Sequence, residues 1–384
     1  MLVFSAAYAS AVLPAASARE APQFDVPEED VAPIALMVEM NTGQVLFSRE
    51  ADRRFIPASM TKVMTAFLAF EKLEDQSLNL TDQASVSPEA FEQWSRVGST
   101  MFLPADGAPT VAELLLGVTT ISANDGSIVL AEHGAGSVEA WVAQMNKKAT
   151  ELGMENSWFG TPNGWMDGGK TFTTANDLSK LATALITRHP AKYEQFFGQR
   201  TFRYNGIAQR NYDPITGFIP GADGIKTGYT DQAGNGFLGS AIRDGRRLIM
   251  VVGGSPSTRS RADVAREFIE WGFAQFASRP IFSVGEQIGT ARVQGGAQGR
   301  VALVANQAVT LALPAESENT PEISLKIRYE GPVRAPIASG DELADLVVML
   351  DGEQVSTVPL VAQSDVREAN VFERIVNAVM RWFA

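Results

Sequence analysis

The sequence predicts an α/β (α+β) domain with an antiparallel sheet and several helices, followed by a small antiparallel β domain. Three observations support this fold class. Apolar runs of strand type stand at both ends of a helical middle within residues 34–277. After residue 278 the helical period disappears, and apolar residues alternate with polar ones through residues 279–363. The chain has 384 residues, which suits two or three domains at roughly 150 residues each.

The elements of the first domain follow from apolar spacing and turn residues. Strands at residues 34–40 and 45–48 flank Asn41-Thr42-Gly43, which is typical of a hairpin. Apolar residues at helical spacing then predict helices over residues 57–73, 111–116, 126–133, 138–152 and 175–187. Two more strands, joined through Asp244-Gly245, and a last helix follow over residues 237–243, 247–253 and 261–276.

The second domain consists of short alternating runs. Its predicted strands cover residues 301–304, 309–313, 323–329, 346–350 and 355–360. Beyond it, residues 366–384 form a predicted amphipathic helix with the apolar stripe Val371, Phe372, Ile375, Val376, Val379, Trp382 and Phe383. This helix is too short and too polar to span a bilayer, so we expect it to anchor the protein on a membrane surface. The alternative is that it packs on the protein's own core.

The first 18 residues differ from the rest of the chain. They carry no charged side chain and end in Ala16-Ser17-Ala18, a pattern that predicts a secretory signal peptide. A membrane-spanning helix is the alternative, and Pro14 argues against it. Residues 19–33 are acidic and contain proline, which predicts a linker. The sequence therefore indicates an exported protein.

Composition narrows the chemistry that the chain can perform. The 32 basic and 44 acidic residues give a formal charge of −12, which makes nucleic acid a poor partner. Cysteine is absent, which excludes disulfides, thiol nucleophiles and thiolate metal sites. The two histidines, His133 and His189, fall at predicted helix ends and cannot build a multi-histidine zinc site. We therefore expect chemistry based on Ser, Lys, Asp, Glu or Arg, without a metal or cofactor.

The first of three short motifs is Ser59-Met60-Thr61-Lys62. On a helix, residues three apart share a face, with Cβ atoms about 5–6 Å apart, so the Lys62 amine can reach the Ser59 hydroxyl. A lysine acts as a base only when neutral, so the pKa of Lys62 must fall from about 10.4 towards 7. Burial and a second cation would lower it. Alone, this spacing is also compatible with an N-cap serine followed by a solvated lysine.

Two other motifs lie in segments between predicted elements. Ser122-Ala123-Asn124 can point a hydroxyl and an amide into one cleft. Lys226-Thr227-Gly228 offers a lysine and a hydroxyl on an edge strand, which suits the capture of a carboxylate. Gly228 would let substrate backbone approach closely. Each tripeptide alone is equally compatible with an ordinary turn.

Taken in this order, the three motifs are the signature of penicillin-binding proteins and serine β-lactamases. The longer segments 57–62, 122–125 and 223–230, together with Trp271-Gly272-Phe273, sharpen the likeness. They closely resemble the low-molecular-mass penicillin-binding proteins of the serine-type D-alanyl-D-alanine carboxypeptidase family. The resemblance covers essentially the whole chain, from the predicted signal peptide to the predicted anchor.

The resemblance implies a role for each matching catalytic residue. Ser59 is expected to be the acylated nucleophile, with Lys62 as its general base. Ser122 and Lys226 are expected to pass protons, and Lys226 also to lower the pKa of Lys62 through its charge. Asn124 is expected to orient the substrate amide.

The resemblance also implies a substrate-binding set, which consists of Thr227, Gly228, Tyr229, Arg210 and Arg261. The backbone N–H groups of Ser59 and Tyr229 are expected to form the oxyanion hole. Thr227 and Arg261, helped by Arg210, are expected to hold the carboxylate of the terminal D-alanine. The chain departs from the family pattern at Tyr229, where some members have histidine, and at Ala123, where many have glycine.

As a whole, the resemblance implies an enzyme that removes the terminal D-alanine from peptidoglycan stem pentapeptides and that β-lactams inhibit. It also implies a periplasmic location on the inner-membrane surface. A D,D-endopeptidase that cleaves cross-links with the same residues is one alternative, and a non-catalytic peptidoglycan-binding scaffold is another. A β-lactamase is disfavoured, because no glutamate motif for activating a deacylating water is evident.

Overall fold

The computed structural model describes residues 24–315, 321–370 and 373. The predicted signal peptide at residues 1–18 lies outside the described residues, as does the apolar stripe of the predicted anchor. In the part of the chain that is described, no helix has both the length and the apolar character needed to cross a membrane.

The first domain contains both helices and strands, as the sequence predicts. In chain order its elements are β1 Ile34–Glu39, β2 Gln44–Arg49, a 3₁₀ turn Ala58–Thr61, α1 Lys62–Glu74, α2 Pro88–Trp94, α3 Val111–Thr120, α4 Asn124–Ala135, α5 Val138–Glu151, α6 Ala175–Arg188, α7 Pro190–Phe196, β3 Thr201–Tyr204, β4 Ile207–Arg210, β5 Ala222–Thr230, β6 Gly234–Arg243, β7 Arg246–Ser255 and α8 Thr258–Gln275. The sequence prediction does not include the short elements α2, α7, β3 and β4, because each contains too few residues to show a clear spacing of apolar side chains.

The first domain is built around one antiparallel sheet in the order β2-β1-β7-β6-β5, which leaves β5 at an edge. Alternate residues of the central strands serve two different cores. Leu36 and Val251 join the core shared with α1 and the other middle helices. Met37 and Met250 point the other way and pack with Phe268 of α8. The sheet is therefore buried between a helical layer and a single long helix.

The second domain consists of strands throughout its described residues. Its elements are β8 Phe276–Phe282, β9 Gln287–Gln294, β10 Arg300–Val304, β11 Val309–Pro314, β12 Ile323–Arg328, β13 Val333–Arg334, β14 Glu342–Leu350 and β15 Glu353–Ala362. Six of them form a sheet in the order β12-β14-β15-β10-β9-β13, and β11 pairs with β8. One apolar cluster, including Leu303, Leu311, Leu346 and Leu360, fills its centre. The predicted fold class is confirmed for both domains.

Three sequence-based boundaries differ from the structure. The β domain begins at Phe276, directly after α8, so the expected division at 277–279 falls two residues too late. Residues 24–33 of the predicted linker pack on the first domain, where Ala32 is buried and Arg49 donates to the Pro27 carbonyl at 2.7 Å. The predicted C-terminal helix does not begin at residue 366. Val366 instead bridges to Ile337 in the β domain, because its apolar side chain fits that core.

The two domains touch through the hairpin β1–β2. The Gln44 side chain donates to the Ala312 carbonyl and accepts from the Ala312 N–H, both at 2.9 Å. The Ser356 hydroxyl donates to the Thr42 carbonyl. These hydrogen bonds fix part of the β domain against the sheet of the first domain.

Candidate active site

The first motif forms a short 3₁₀ turn that runs into α1. Ser59 lies in the turn and Lys62 is the first residue of α1, so the two side chains share a face as the spacing predicts. The Lys62 Nζ donates to Ser59 Oγ at 3.0 Å, to Asn124 Oδ1 at 2.8 Å and to the Asn163 carbonyl at 2.7 Å. These contacts hold the amine against the serine, and a neutral amine keeps its lone pair for Ser59 when its two hydrogens point to the two carbonyl oxygens.

The environment of Lys62 favours its neutral form. The side chain is almost completely buried, with 1% of the residue exposed. Burial is the main cause that holds the pKa of Lys62 well below its ordinary value, and the positive charge of Lys226 lowers the pKa further. The carboxylate of Asp125 acts in the opposite direction. A neutral amine 3.0 Å from a serine hydroxyl can accept its proton.

The second motif reaches the same place from the start of α4. Asn124 is the first residue of that helix, and its amide Nδ2 donates to the Val97 carbonyl at 2.9 Å. Ser122 has a φ of 65°, a left-handed conformation that is strained for a residue with a Cβ. Its buried hydroxyl has no hydrogen-bond partner among the described residues. The strained turn thus holds an unpaired hydroxyl at the cleft.

The Ser122–Asn124 turn is supported by the buried carboxylate of Asp125. This residue lies in the first turn of α4. It accepts hydrogen bonds from the N–H groups of Met101 at 3.0 Å and Leu103 at 3.2 Å. Burial raises the pKa of Asp125, and these backbone donors oppose the rise. Asp125 therefore fixes the loop 97–103 beside the cleft.

The third motif lies on edge strand β5. Lys226 is buried, and its Nζ donates to the Thr227 carbonyl at 3.1 Å. Burial, followed by the positive charge of Arg261, lowers the pKa of Lys226 to about 7, while Asp213 acts in the opposite direction. Burial likewise lowers the pKa of Arg261, on α8, to about 10. The Nε of Arg261 is buried without a hydrogen-bond partner among the described residues.

Gly228 allows a close contact within the protein, whereas the sequence analysis expects it to allow the approach of substrate. A Cβ at this position would lie 2.4 Å from the Pro57 carbonyl oxygen and 3.3 Å from Met60 Cγ. The glycine therefore lets β5 approach the Ser59 turn closely, in addition to any approach by substrate. This contact brings Tyr229 and Thr227 to the side of Ser59.

These segments enclose a cleft of about 460 Å³. It is lined by Ser59, Gly98, Ser99, Ser122, Asn124, Gly164, Trp165, Met166, Tyr212, Thr227, Gly228, Tyr229, Thr230, Asp231, Asn235, Thr258 and Arg261. Lys62 and Lys226 lie buried behind this surface. Of the ten site residues expected from the sequence, Arg210 is the one that the structure places apart. It is exposed on β4, outside this lining, and its part in binding stays a prediction.

Several residues of the site are missed by the sequence prediction. Trp165 and Met166 form one wall, and the Trp165 ring meets that of Trp94 edge to face at 6.2 Å. Asn163 contributes only its backbone carbonyl, which no side-chain motif can reveal. Asp213 acts on Lys226 and Arg261 through its charge alone. For the wall at Trp165 and Met166, the sequence offers one signal, which is that the composition of residues 165–173 differs from what the family resemblance leads one to expect beside the active site.

The remaining candidates take structural roles. His189 ends α6 and pairs through Nδ1 with Glu74 at 2.7 Å, and His133 lies in the last turn of α4. Met60 and Met64 are buried in the core. Within residues 24–315, 321–370 and 373, no group of three or more His, Asp or Glu side chains is placed to hold a metal ion.

The arrangement of these residues agrees with the protein families that this chain resembles. A family model described as D-alanyl-D-alanine carboxypeptidase matches residues 17–257, which is more than half of the chain. The chain belongs to the D-alanyl-D-alanine carboxypeptidase family. A model of the C-terminal domain of penicillin-binding protein 5 matches residues 276–368. The predicted family and the predicted enzyme class, a serine-type D-alanyl-D-alanine carboxypeptidase, are therefore confirmed.

Two similar proteins match over nearly the whole chain, and a third matches over about two thirds of it. D-alanyl-D-alanine carboxypeptidase DacF of Bacillus subtilis is 31% identical over 353 residues, which cover 91% of this chain and 89% of the relative. The crystal structure of penicillin binding protein 5 from Haemophilus influenzae has a TM-score of 0.77 at 29% identity, covering 91% of this chain and 100% of that chain. Penicillin-binding protein D2 from Listeria monocytogenes, in its ampicillin-bound form, has a TM-score of 0.56 at 28% identity and covers 66% of this chain and 100% of that chain.

Proposed function

We propose that this carboxypeptidase removes the C-terminal D-alanine of peptidoglycan stem pentapeptides through an acyl-enzyme on Ser59. The observation that carries the proposal is the buried Lys62 amine, 3.0 Å from Ser59 Oγ at the bottom of the cleft. A binding scaffold has no need of a lysine whose pKa is lowered by burial, because that burial costs free energy of folding.

In the proposed acylation, neutral Lys62 takes the proton of Ser59 while Oγ attacks the carbonyl carbon of the penultimate D-alanine. The negative charge on the carbonyl oxygen is held by the N–H groups of Ser59 and Tyr229, and each such donor is worth about 10²–10³ in rate. The C–N bond then breaks, and the proton that Lys62 took passes to the leaving amine through Ser122 and Lys226, which restores the neutral Lys62. Water later hydrolyses the ester and frees Ser59.

Recognition of the substrate is proposed to depend on its terminal carboxylate. Arg261 lines the cleft, and its buried Nε has no partner among the described residues, so its guanidinium can still donate to a ligand. Thr227, on β5 next to Lys226, offers a hydroxyl to the same carboxylate. Asn124 lines the same cleft and would orient the peptide amide. A carboxylate at this site also brings a negative charge close to the buried cations.

We further propose that β-lactams acylate Ser59 and inhibit the enzyme. The relative from Listeria monocytogenes that crystallised in an ampicillin-bound form is similar in structure to 66% of this chain. The cleft of about 460 Å³ is large enough for a compact ligand. Since the same serine would react with substrate and with drug, a β-lactam gives a direct label for the nucleophile.

The proposed location is the periplasmic face of the inner membrane. Support for export comes from the uncharged residues 1–18 with their Ala16-Ser17-Ala18 ending. Support for anchoring comes from the apolar stripe that begins at Val371, after the last described strand of the β domain. Both features agree with a substrate in the cell wall.

The proposed nucleophile is tested by incubating the purified protein and its Ser59→Ala variant with a fluorescent penicillin and locating the adduct by peptide mass spectrometry. We expect one labelled peptide, containing Ser59, and no label in Ser59→Ala. Ser77→Ala, an exposed serine after α1, is the matched control and should label normally.

The reaction is then identified by the product. D-alanine release from a pentapeptide supports the carboxypeptidase, and cleavage of a cross-linked dimer without such release would favour the D,D-endopeptidase. Intact protein that neither labels nor turns over any substrate would overturn the proposal and favour the scaffold.

A further inference from the structure

The cleft carries a carboxylate that the proposed reaction does not use. Among the described residues that line it, Asp231 is the one carboxylate and Arg261 the one cationic side chain. Asp231 directly follows the last residue of β5 and is exposed. Its Oδ1 accepts a hydrogen bond from the Tyr229 hydroxyl at 2.7 Å. Within the described part of the chain, no lysine or arginine forms an ion pair with Asp231, so its charge is available to a ligand.

The proposed function fixes how a peptide runs past Asp231. With the terminal carboxylate at Thr227 and the reacting carbonyl at Tyr229, the peptide lies along edge strand β5 as an added antiparallel strand. Traced from its C-terminus, it passes residue 227, then 229, then 231. At about 3.3 Å per residue, Thr230 at the end of β5 stands about 10 Å from Thr227, and Asp231 follows in the turn, at most about 13 Å from Thr227.

The residue before D-Ala-D-Ala can reach that far. It lies two residues from the C-terminus, which is about 7 Å of extended chain. A lysine-type side chain there extends its ammonium on a flexible four-carbon stem. Its length covers most of the remaining distance to Asp231.

We propose that Asp231 forms a subsite for a primary ammonium group on the side chain of the residue that precedes D-Ala-D-Ala. This inference rests on the proposed function, because only the placement of the carboxylate at Thr227 and Arg261 fixes the direction of the peptide. The substrate class is then a stem peptide whose diamino residue carries a free amine. A cross-link that acylates this amine removes its charge, so the subsite would favour uncross-linked stems over cross-linked ones.

Tyr229 is the positioning residue of this subsite. Its hydroxyl holds Oδ1 of Asp231, which leaves Oδ2 free for the ammonium. More than half of the Tyr229 side chain is exposed, so the ring lies at the mouth of the cleft, beside the path of the peptide. The tyrosine at this position, where some family members have histidine, would thus act on substrate choice through its side chain and on catalysis through its backbone N–H.

The test compares two peptides that differ in one charge: Nα-acetyl-L-Lys-D-Ala-D-Ala and Nα,Nε-diacetyl-L-Lys-D-Ala-D-Ala. The quantity measured is the ratio of their kcat/KM values for D-alanine release by the full chain. We expect the wild-type ratio to favour the free amine about fivefold, the upper range of a solvent-exposed ion pair. Added salt should reduce the ratio, because it screens exposed charges.

Variants assign the ratio to this carboxylate. Asp231→Asn should bring the ratio close to one, Asp231→Glu should preserve most of it, and Tyr229→Phe should lower it partly. Asp244→Asn is the matched control, because Asp244 is an exposed aspartate in the turn at the other end of β6. It should keep the wild-type ratio.

The outcomes separate the subsite from the reaction. If D-alanine is released from both peptides with equal kcat/KM, or if Asp231→Asn keeps the wild-type ratio, the subsite is wrong while the carboxypeptidase proposal stands. If neither peptide releases D-alanine and Ser59 does not label, the proposed function fails and the subsite fails with it.

Discussion

The catalytic domain, residues 24–275, buries the cationic side chains of Lys62, Lys226 and Arg261, whereas the described residues of the β domain bury no lysine or arginine. The polar side chain that the β domain does bury is that of Ser356. Its hydroxyl is paired with the Thr42 carbonyl of the catalytic domain. The rest of the β-domain core is apolar.

This difference shows that burial of cations, which costs free energy of folding, is confined to the domain that holds the candidate active site. A buried amine or guanidinium loses hydration, and in the catalytic domain the loss appears as lowered pKa values of Lys62, Lys226 and Arg261. Such groups concentrate at functional sites because catalysis needs a neutral base near neutral pH. The described residues of the β domain bury no lysine or arginine, so its apolar core does not carry this cost.

The largest expected effect comes from removing Lys62, the proposed general base. Lys62→Met should lower kcat/KM for D-alanine release about 10²–10⁴-fold, because Ser59 then has no amine to accept its proton. The rate of labelling by fluorescent penicillin should fall in parallel. Lys72→Met, in the last turn of the same helix, is the control and should react at the wild-type rate. A Lys62→Met enzyme within threefold of wild type would contradict the assigned role.

A second effect concerns stability against pH. The pKa of Lys226 is about 7 in the folded chain and has its ordinary value of 10.5 in the unfolded chain. Between these values the unfolded state binds more protons, so the wild-type free energy of unfolding rises with pH across this window. Lys226→Met lacks this term. It should therefore exceed the wild type in stability near pH 7, by at most about 5 kcal/mol, with the excess vanishing towards pH 10.5.

Urea titrations followed by tryptophan fluorescence measure this effect in the right domain. Trp94, Trp141, Trp158, Trp165 and Trp271, five of the six tryptophans, belong to the catalytic domain. Lys326→Met, which removes an exposed lysine of the β domain, controls for a general change in charge. A stability difference between Lys226→Met and wild type that stays constant from pH 7 to 10.5 would count against the lowered pKa.

The smallest expected effect on activity tests the comparison of the two domains with a substitution in the β domain. Leu346→Ala removes a fully buried side chain of β14 and should destabilise the β domain by about 2–5 kcal/mol. D-alanine release by the folded enzyme should stay within twofold of wild type. Hydrogen exchange of the β14 amides reports the loss. Leu325→Ala, on the neighbouring strand but 38% exposed, should change exchange much less. Loss of activity in folded Leu346→Ala would show that the domains are coupled.

Much of the fold could be predicted from local sequence signals. The hairpin of β6 and β7 follows from its Asp244-Gly245 turn, and α3 begins at a capping box between Thr110 and Glu113. The prediction is wrong where an apolar pattern fits two structures. Val366 suits the first turn of an amphipathic helix equally well, and only the bridge to Ile337 places it in the β domain.

The proposed catalytic side chains could be identified from three motifs taken together, because the spacing within each motif is local and their combination in this order is typical of one family. The supporting groups could not. The Asn163 carbonyl lies 101 residues from Lys62 in sequence, and Asp213 acts on Lys226 without a hydrogen bond to it. Neither a backbone oxygen nor a remote charge leaves a pattern in the sequence.

The sequence by itself therefore determined the fold class and singled out Ser59, Lys62 and Lys226 as candidates, since periodicity and short spacing can be seen along the chain. Only the tertiary structure decided that Lys62 is buried and that it contacts Asn124 and Asn163. It also decided that Arg261 lines the cleft with a buried Nε that has no hydrogen-bond partner among the described residues. The physical reason is that a pKa or an open binding site depends on what surrounds a group in space. Those neighbours come from segments that the chain brings together only when it folds.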